Sequence, residues 1–163
     1  MHNRCQRIYR FQSWANTSSI SVREIRHRTT DFVVAEIDNP SQAELEEVGI
    51  NIESLEEKRV ERLIERVGLH RKPSFADLSA LVLAEYQQVV LITGDSDLRS
   101  AANELEIEVH GTIWLMDQCL GNGQLSRQTA CSALTHMLEN NRRLPQLAVR
   151  KRLADWGAEE VRT

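Results

Sequence analysis

The stretch Ser74 to Asp97, SFADLSALVLAEYQQVVLITGDSD, carries a helix signal followed directly by a buried-strand signal. Ser74 with Asp77 three positions later is a variant of the capping box, in which each residue satisfies a free amide of the other. It predicts a helix running to Tyr86. Gln87 and Gln88 then lead into VVLIT, a continuous aliphatic and β-branched run of the kind found in strands covered on both faces of a parallel sheet. The order sets Asp77 in the first turn of the helix and Asp95 and Asp97 just past the strand. In an open α/β sheet, ligands gather outside the carboxyl ends of the strands, and acids there supply the hard oxygen donors that divalent cations take.

Flanking segments extend the rhythm. Thr29, Thr30 and Asp31 precede FVVAEI, which reads as a strand end running into a helix capped by Thr30 or Asp31, with Glu36 about a turn and a half inside. Pro40 and Ser41 open SQAELEEVG, which Gly49 stops before the strand-like INIES. Ser54 is the expected cap of an amphipathic helix whose Leu55, Val60, Leu63, Ile64 and Val67 recur at helical spacing as far as Gly68. Asp95 or Ser96 caps DLRSAANELE, and IEVH at 107–110 reads as the next parallel strand, at a distance suited to a βαβ crossover. Gly111 and Thr112 turn into IWLMDQCL, Ser126 caps SRQTACSALTHMLENN, and LPQLAVRKRLADW follows. The final third is helical, and no element is predicted between Ser13 and Ile25.

At 163 residues the chain fits one compact domain with a small helical appendage. A formal charge of −4 argues against a surface coated in basic residues, while leaving room for a local basic face. There is no long apolar run and no signal-peptide pattern, so no membrane association is expected and the cytoplasm is the expected location. Cys5, Cys119 and Cys131 form no Cys-x-x-Cys pair, and the histidines lack zinc-motif spacing. Reduced thiols and an oxygen-ligated metal are the expectation.

Each acid also has a bland explanation. Asp77 satisfies free amides and the positive end of the helix dipole, Asp95 is an ordinary N-cap, Asp97 a first-turn acid and Glu36 a solvated helix residue. Against this, Asp77 shares a helix face with Ala80, Leu81 and Ala84, and Glu36 follows Phe32 and Val33 at i+4 and i+3. Acids converging with no Lys or Arg beside them repel, and a divalent metal is the usual remedy, which implies magnesium or manganese.

In order, FVVAEI, SFADLSALVLA, LITGDSDLRSAA and VHGTIWLM resemble the acidic helices, the strand with its Asp, and the closing Gly-Thr segment of PIN-domain proteins, over about Thr29 to Trp156. The resemblance implies a three-layer α/β/α sandwich with a mainly parallel sheet plus C-terminal helices. It also implies a single-stranded RNA endonuclease dependent on Mg2+ or Mn2+, in many relatives the toxin of a toxin–antitoxin pair, with an antitoxin and a homodimer as partners. Carried over, Glu36, Asp77 and Asp95 take the catalytic and metal-binding positions, Asp97 is a fourth metal ligand, and Thr93 orients one of them. The expected division is 1–28 as a divergent or incomplete N-terminal segment, 29–121 as the PIN-like core and 122–163 as a helical extension.

One part of the pattern is missing. The family opens with a strand ending in an Asp-Thr-Ser type element, and no Asp precedes Asp31. Asn16, in Ala15 to Ser18, is the nearest match; its carbonyl donates an oxygen but no charge. Residues 1–28 hold six arginines, Arg4, Arg7, Arg10, Arg23, Arg26 and Arg28, against the single acid Glu24. Arg142, Arg143, Arg150, Lys151 and Arg152 form a second basic patch, suited either to phosphates or to a solvated helix face. Trp14, Trp114 and Trp156 read as core or interface anchors. Two other functions compete: a catalytically inactive PIN fold that binds or scaffolds, and a receiver-like or phosphatase α/β domain with Asp95 as phosphoacceptor.

Overall fold

The computed structural model describes residues 9–11, 26–140, 142 and 144–157. They fall into two compact units, residues 9–11 with 26–110, and residues 111–157. The division after His110 assigns the IWLMDQCL helix to the C-terminal unit, whereas the sequence reading groups it with the core. Asn16, Trp14, Cys5, Arg4, Arg7 and Arg23 lie outside the described residues.

The first unit contains β1 (Tyr9–Phe11), β2 (His27–Thr30), α1 (Asp31–Ala35), α2 (Gln42–Glu47), β3 (Ile50–Glu53), α3 (Glu57–Leu69), α4 (Phe75–Gln87), β4 (Val90–Ile92), α5 (Ser96–Glu104) and β5 (Val109–His110). The strands make two short sheets where the sequence reading expects one mainly parallel sheet. β2 and β3 pair in parallel, with Thr30 opposite Glu53. β4 pairs in parallel with β5, and β1 adds to its other edge antiparallel, with Tyr9 opposite Ile92. The expected βαβ crossover is therefore present, and the antiparallel edge was not foreseen.

The core follows from α4. Ala76 and every residue from Leu78 to Ala84 are buried, including the polar Ser79, as expected of a helix that is apolar nearly all round. Val33, Leu63, Leu91, Leu98 and Ala102 pack in the same cluster. Phe32 and Phe75 meet edge to face, ring centroids 5.1 Å apart, which fixes the first turn of α1 against that of α4.

Local chemistry sets the boundaries. The strand before α1 is HRTT, and Phe32 to Val34 are helical because the Thr30 hydroxyl accepts the Val33 amide at 3.3 Å. Ser41 and Glu44 form a full capping box on α2, and Gly49, at φ +84°, turns the chain into β3. Ser54 is not the cap of α3. Glu56 is, without a side-chain bond, its carbonyl receiving Val60 N–H at 3.0 Å.

The second unit contains α6 (Thr112–Gly121), α7 (Arg127–Glu139) and α8 (Gln146–Gly157) around Met116, Ala130, Leu134, Val149 and Trp156. Ser126 caps α7 as the sequence implies. Arg152 bonds both Asp117 oxygens, at 2.8 and 2.9 Å, tying α8 to α6. That guanidinium is a structural member of the basic patch. Cys119 and Cys131 are free thiols, and no described helix is long and apolar enough to cross a membrane.

Candidate active site at the helix N-termini

Three helix N-termini meet in the first unit. α4 leads into β4 through Gln88 and Val89 alone, so it runs back along the strand and its first turn lies toward the strand's carboxyl end. The Thr30 and Ser79 hydroxyls, 2.6 Å apart and fully buried, join the carboxyl end of β2 to the second turn of α4. Lys72, just before α4, reaches Asp97 in the first turn of α5, Nζ to Oδ1 3.3 Å. The N-termini of α1, α4 and α5 thus gather at the carboxyl ends of β2 and β4, where the helix dipoles favour negative charge.

Each candidate acid has a defined role there. Asp77 is half-buried, and its Oδ2 accepts the Ser74 amide at 3.2 Å and the Ser74 hydroxyl at 2.9 Å, while the Asp77 amide donates to Ser74 Oγ at 3.0 Å. The apolar-facing acid has found its partner one turn back in its own capping box. Asp95 is the N-cap of α5: its Oδ1 accepts the Asp97 amide at 3.0 Å and the Leu98 amide at 2.8 Å. Both bonds fall on Oδ1, so Oδ2 takes no hydrogen bond among the described residues.

Thr93 does orient Asp95, through the backbone: its buried hydroxyl accepts the Asp95 amide at 3.0 Å. Glu36 is less embedded than its spacing from Phe32 and Val33 predicts. α1 lasts five residues, and Glu36 is its exposed C-cap.

Two cations that the motif reading overlooked also stand here. Lys72 pairs with Asp97, so the acids are not without a basic neighbour. Arg99 donates to the carbonyls of Val109 at 3.1 Å and Thr93 at 3.0 Å, pinning the carboxyl ends of β5 and β4 together. The signal for Arg99 is visible afterwards in DLRS, four residues after Asp95; for Lys72 only the fold supplies it.

A metal centre requires oxygens converging on one point. Among the described residues no group of three or more His, Cys, Asp or Glu side chains is arranged to hold a metal ion. The donors have the right chemistry for magnesium or manganese, but as placed they do not fit the ion: Asp77 is turned to Ser74, Asp97 to Lys72, and Glu36 lies at the far end of α1. The described residues provide Asp95 Oδ2 as an open carboxylate oxygen beside α5, with half-buried Asp77 on the neighbouring helix.

No curated protein and no solved structure matches the chain significantly. The family model DUF3368, a PIN domain, matches residues 14–158, which takes in every candidate acid and every described residue except β1. The chain belongs to the PIN-domain family.

Proposed function

We propose that this protein is a cytoplasmic endoribonuclease that cleaves phosphodiesters of single-stranded RNA with Mg2+ or Mn2+, acting as the toxin of a toxin–antitoxin pair. PIN domains have a nuclease-like fold and generally use divalent metal ions. The observation that carries the reading is the gathering of the α4 and α5 N-termini, with Asp77 and Asp95, at the carboxyl end of β4. Amide-rich helix ends attract the phosphates of a nucleic-acid strand, and the acids beside them supply the oxygen chemistry of hydrolysis. In this reading Asp95 and Asp77 are the principal catalytic acids, and binding an ion would require Asp77 to turn from Ser74 and Asp97 from Lys72.

A second reading has its own observation. With Asp77 closed on Ser74, Asp97 on Lys72 and no Asp before Asp31, the fold suits RNA or protein binding without cleavage. One experiment separates the two. Purified protein is incubated with end-labelled single-stranded RNA and manganese, beside Asp95→Asn and an EDTA control. The proposal expects cleavage by the parent protein alone, reduced at least roughly a hundredfold in the variant. Equal cleavage in all three sinks it, and retarded but intact RNA on a native gel establishes the binding reading.

A further inference from the structure

Phe75 opens α4 with a ring that the fold only half uses. It meets Phe32 edge to face, the planes at 79°, so Phe32 covers at most one face of the ring, and Phe75 stays 45% exposed. Single exposed apolar residues are ordinary, and exposure alone would mean nothing. Its surroundings set this one apart. Phe75 is the first residue of the helix whose third is Asp77, and it touches α1 at Phe32; the segment leading into it reaches the first turn of α5 through Lys72 and Asp97. Tyr86, the other exposed aromatic of the described helices, lies in the last turn of α4 with Arg59 over its ring, 5.6 Å from the centroid.

Charge marks what can cover the Phe75 ring. Residues 26–110 hold 18 acids against nine Lys and Arg, so this unit as a whole repels a phosphate chain. The segment before Phe75 is the exception: no acid occurs from Arg66 to Ala76, and Arg71 and Lys72 both stand exposed there. Elsewhere the cations are engaged, Arg28 by Glu53, Arg62 and Arg66 by Glu85, and Arg99 by two carbonyls. Lys72 pairs with Asp97 while its side chain remains 78% exposed, and no hydrogen bond or ion pair among the described residues uses the Arg71 side chain.

Two exposed cations followed within four residues by an open aromatic ring supply what a single-stranded nucleic acid needs: charge for its phosphates and a flat apolar face for a base. A duplex keeps its bases stacked away from such a ring. Pro73 stiffens the link between the cations and the ring, which lowers the entropy cost of using them together. We propose that Phe75 is a stacking platform for one nucleobase of single-stranded RNA, with Arg71 and Lys72 on the neighbouring phosphates. Every base has a π-face, so the platform imposes no strict sequence preference. The inference deepens the proposed nuclease reading and rests on it for the class of ligand.

Fluorescence anisotropy of the full chain with a labelled oligoadenylate of about eight nucleotides tests it, in EDTA so that cleavage is off, beside an abasic ribose-phosphate chain of the same length. The parent protein is expected to bind the oligoadenylate about tenfold more tightly than the abasic chain. Phe75→Leu, which keeps an apolar contact with Phe32, is expected to remove that tenfold with the salt dependence unchanged, and Phe75→Trp to retain it. Arg71→Gln is expected to weaken binding of both chains alike and to lower the salt slope by about 0.7. Equal binding of the two chains by the parent protein, a comparison that needs no variant, overturns the proposal, as does oligoadenylate binding indifferent to Phe75→Leu. A parent protein that binds neither chain also overturns it and leaves the ring to a protein partner. Cleavage with manganese, followed in parallel, keeps the two readings apart. RNA held through Phe75 but left intact supports the platform and removes the nuclease; RNA cut by Phe75→Leu at the parent KM overturns the platform and leaves the nuclease standing.

Discussion

Thr30 Oγ1 and Ser79 Oγ lie 2.6 Å apart with both side chains fully buried, and their protons can be assigned by elimination. Ser79 donates its single proton to the Ala76 carbonyl at 2.7 Å, so the Thr30 hydroxyl is the donor to Ser79 while also accepting the Val33 amide. One hydroxyl thus caps α1 and ties it to α4. Thr30→Val keeps the shape and removes both bonds, and is expected to cost about 1 to 2 kcal/mol in urea unfolding. Ser79→Ala leaves the Thr30 proton without an acceptor and costs about 1 kcal/mol. The double variant should fall short of the sum by at least about 0.5 kcal/mol; strict additivity would mean that the two hydroxyls do not act together.

Asp95 serves structure and, in the proposed reading, chemistry, and two substitutions separate these roles. Asn is as good an N-cap as Asp, so Asp95→Asn should unfold within about 0.5 kcal/mol of the parent, whereas Asp95→Ala should lose about 1 kcal/mol. RNA cleavage, if Asp95 is catalytic, falls equally in both. Activity that follows stability, retained in Asn and reduced in Ala, would leave Asp95 only its role as a cap.

These dual roles explain what the residues disclose in one dimension. Capping is local, so Ser41, Ser74 and Ser126 were readable from spacing alone and Asp95 as one of two candidates with Ser96, as was the strand in VVLIT. The seam of α3 was visible as periodicity, but which of its residues turn inward depends on α4. HRTT is too polar and too short to register as a strand; it exists because β3 pairs beside it. The acids were legible as a set, yet the fate of each depends on partners remote from it in the chain. Lys72 reaches Asp97 across a whole helix and strand, and no spacing rule predicts a contact made by the fold. Glu36 was misjudged because helical periodicity does not reveal that α1 stops after five residues.

Arg66 offers a test of how buried charge is managed. Its side chain is almost fully enclosed, its Nη2 bonds Glu85 at 2.7 Å, and its Nε is buried with no hydrogen-bond partner. Burial pushes the Glu85 carboxyl up, but the hydrogen bonds and charges of Arg62 and Arg66 outweigh it and hold the group below its ordinary value. Glu85→Gln leaves the enclosed guanidinium uncompensated and is expected to cost about 2 to 3 kcal/mol. Arg66→Met fills the same space without a charge or an orphaned donor, and Arg62 still serves Glu85, so its cost should stay below about 1 kcal/mol. The reverse ranking in thermal or urea melts would show that the ion pair itself, and not the avoidance of an unpaired charge, stabilises this junction of α3 and α4.

His27, on β2 opposite Ile50, makes the fold sensitive to mild acid. Burial lowers its pKa below the ordinary 6.5, so the neutral ring is favoured in the folded chain more than in the unfolded one. The folded value being depressed, the unfolded state binds the proton first as pH falls. The contribution of His27 is therefore fully present above 6.5 and is lost as pH drops below 6.5 toward the folded value. Glu85, also depressed, adds its own loss only at lower pH, in the carboxylate range. The melting temperature is thus expected to fall from about pH 7.5 to about pH 5.5, and His27→Gln, which cannot take up the proton, should flatten that slope. An unchanged slope in the variant would assign the acid sensitivity to other groups and remove His27 from the account.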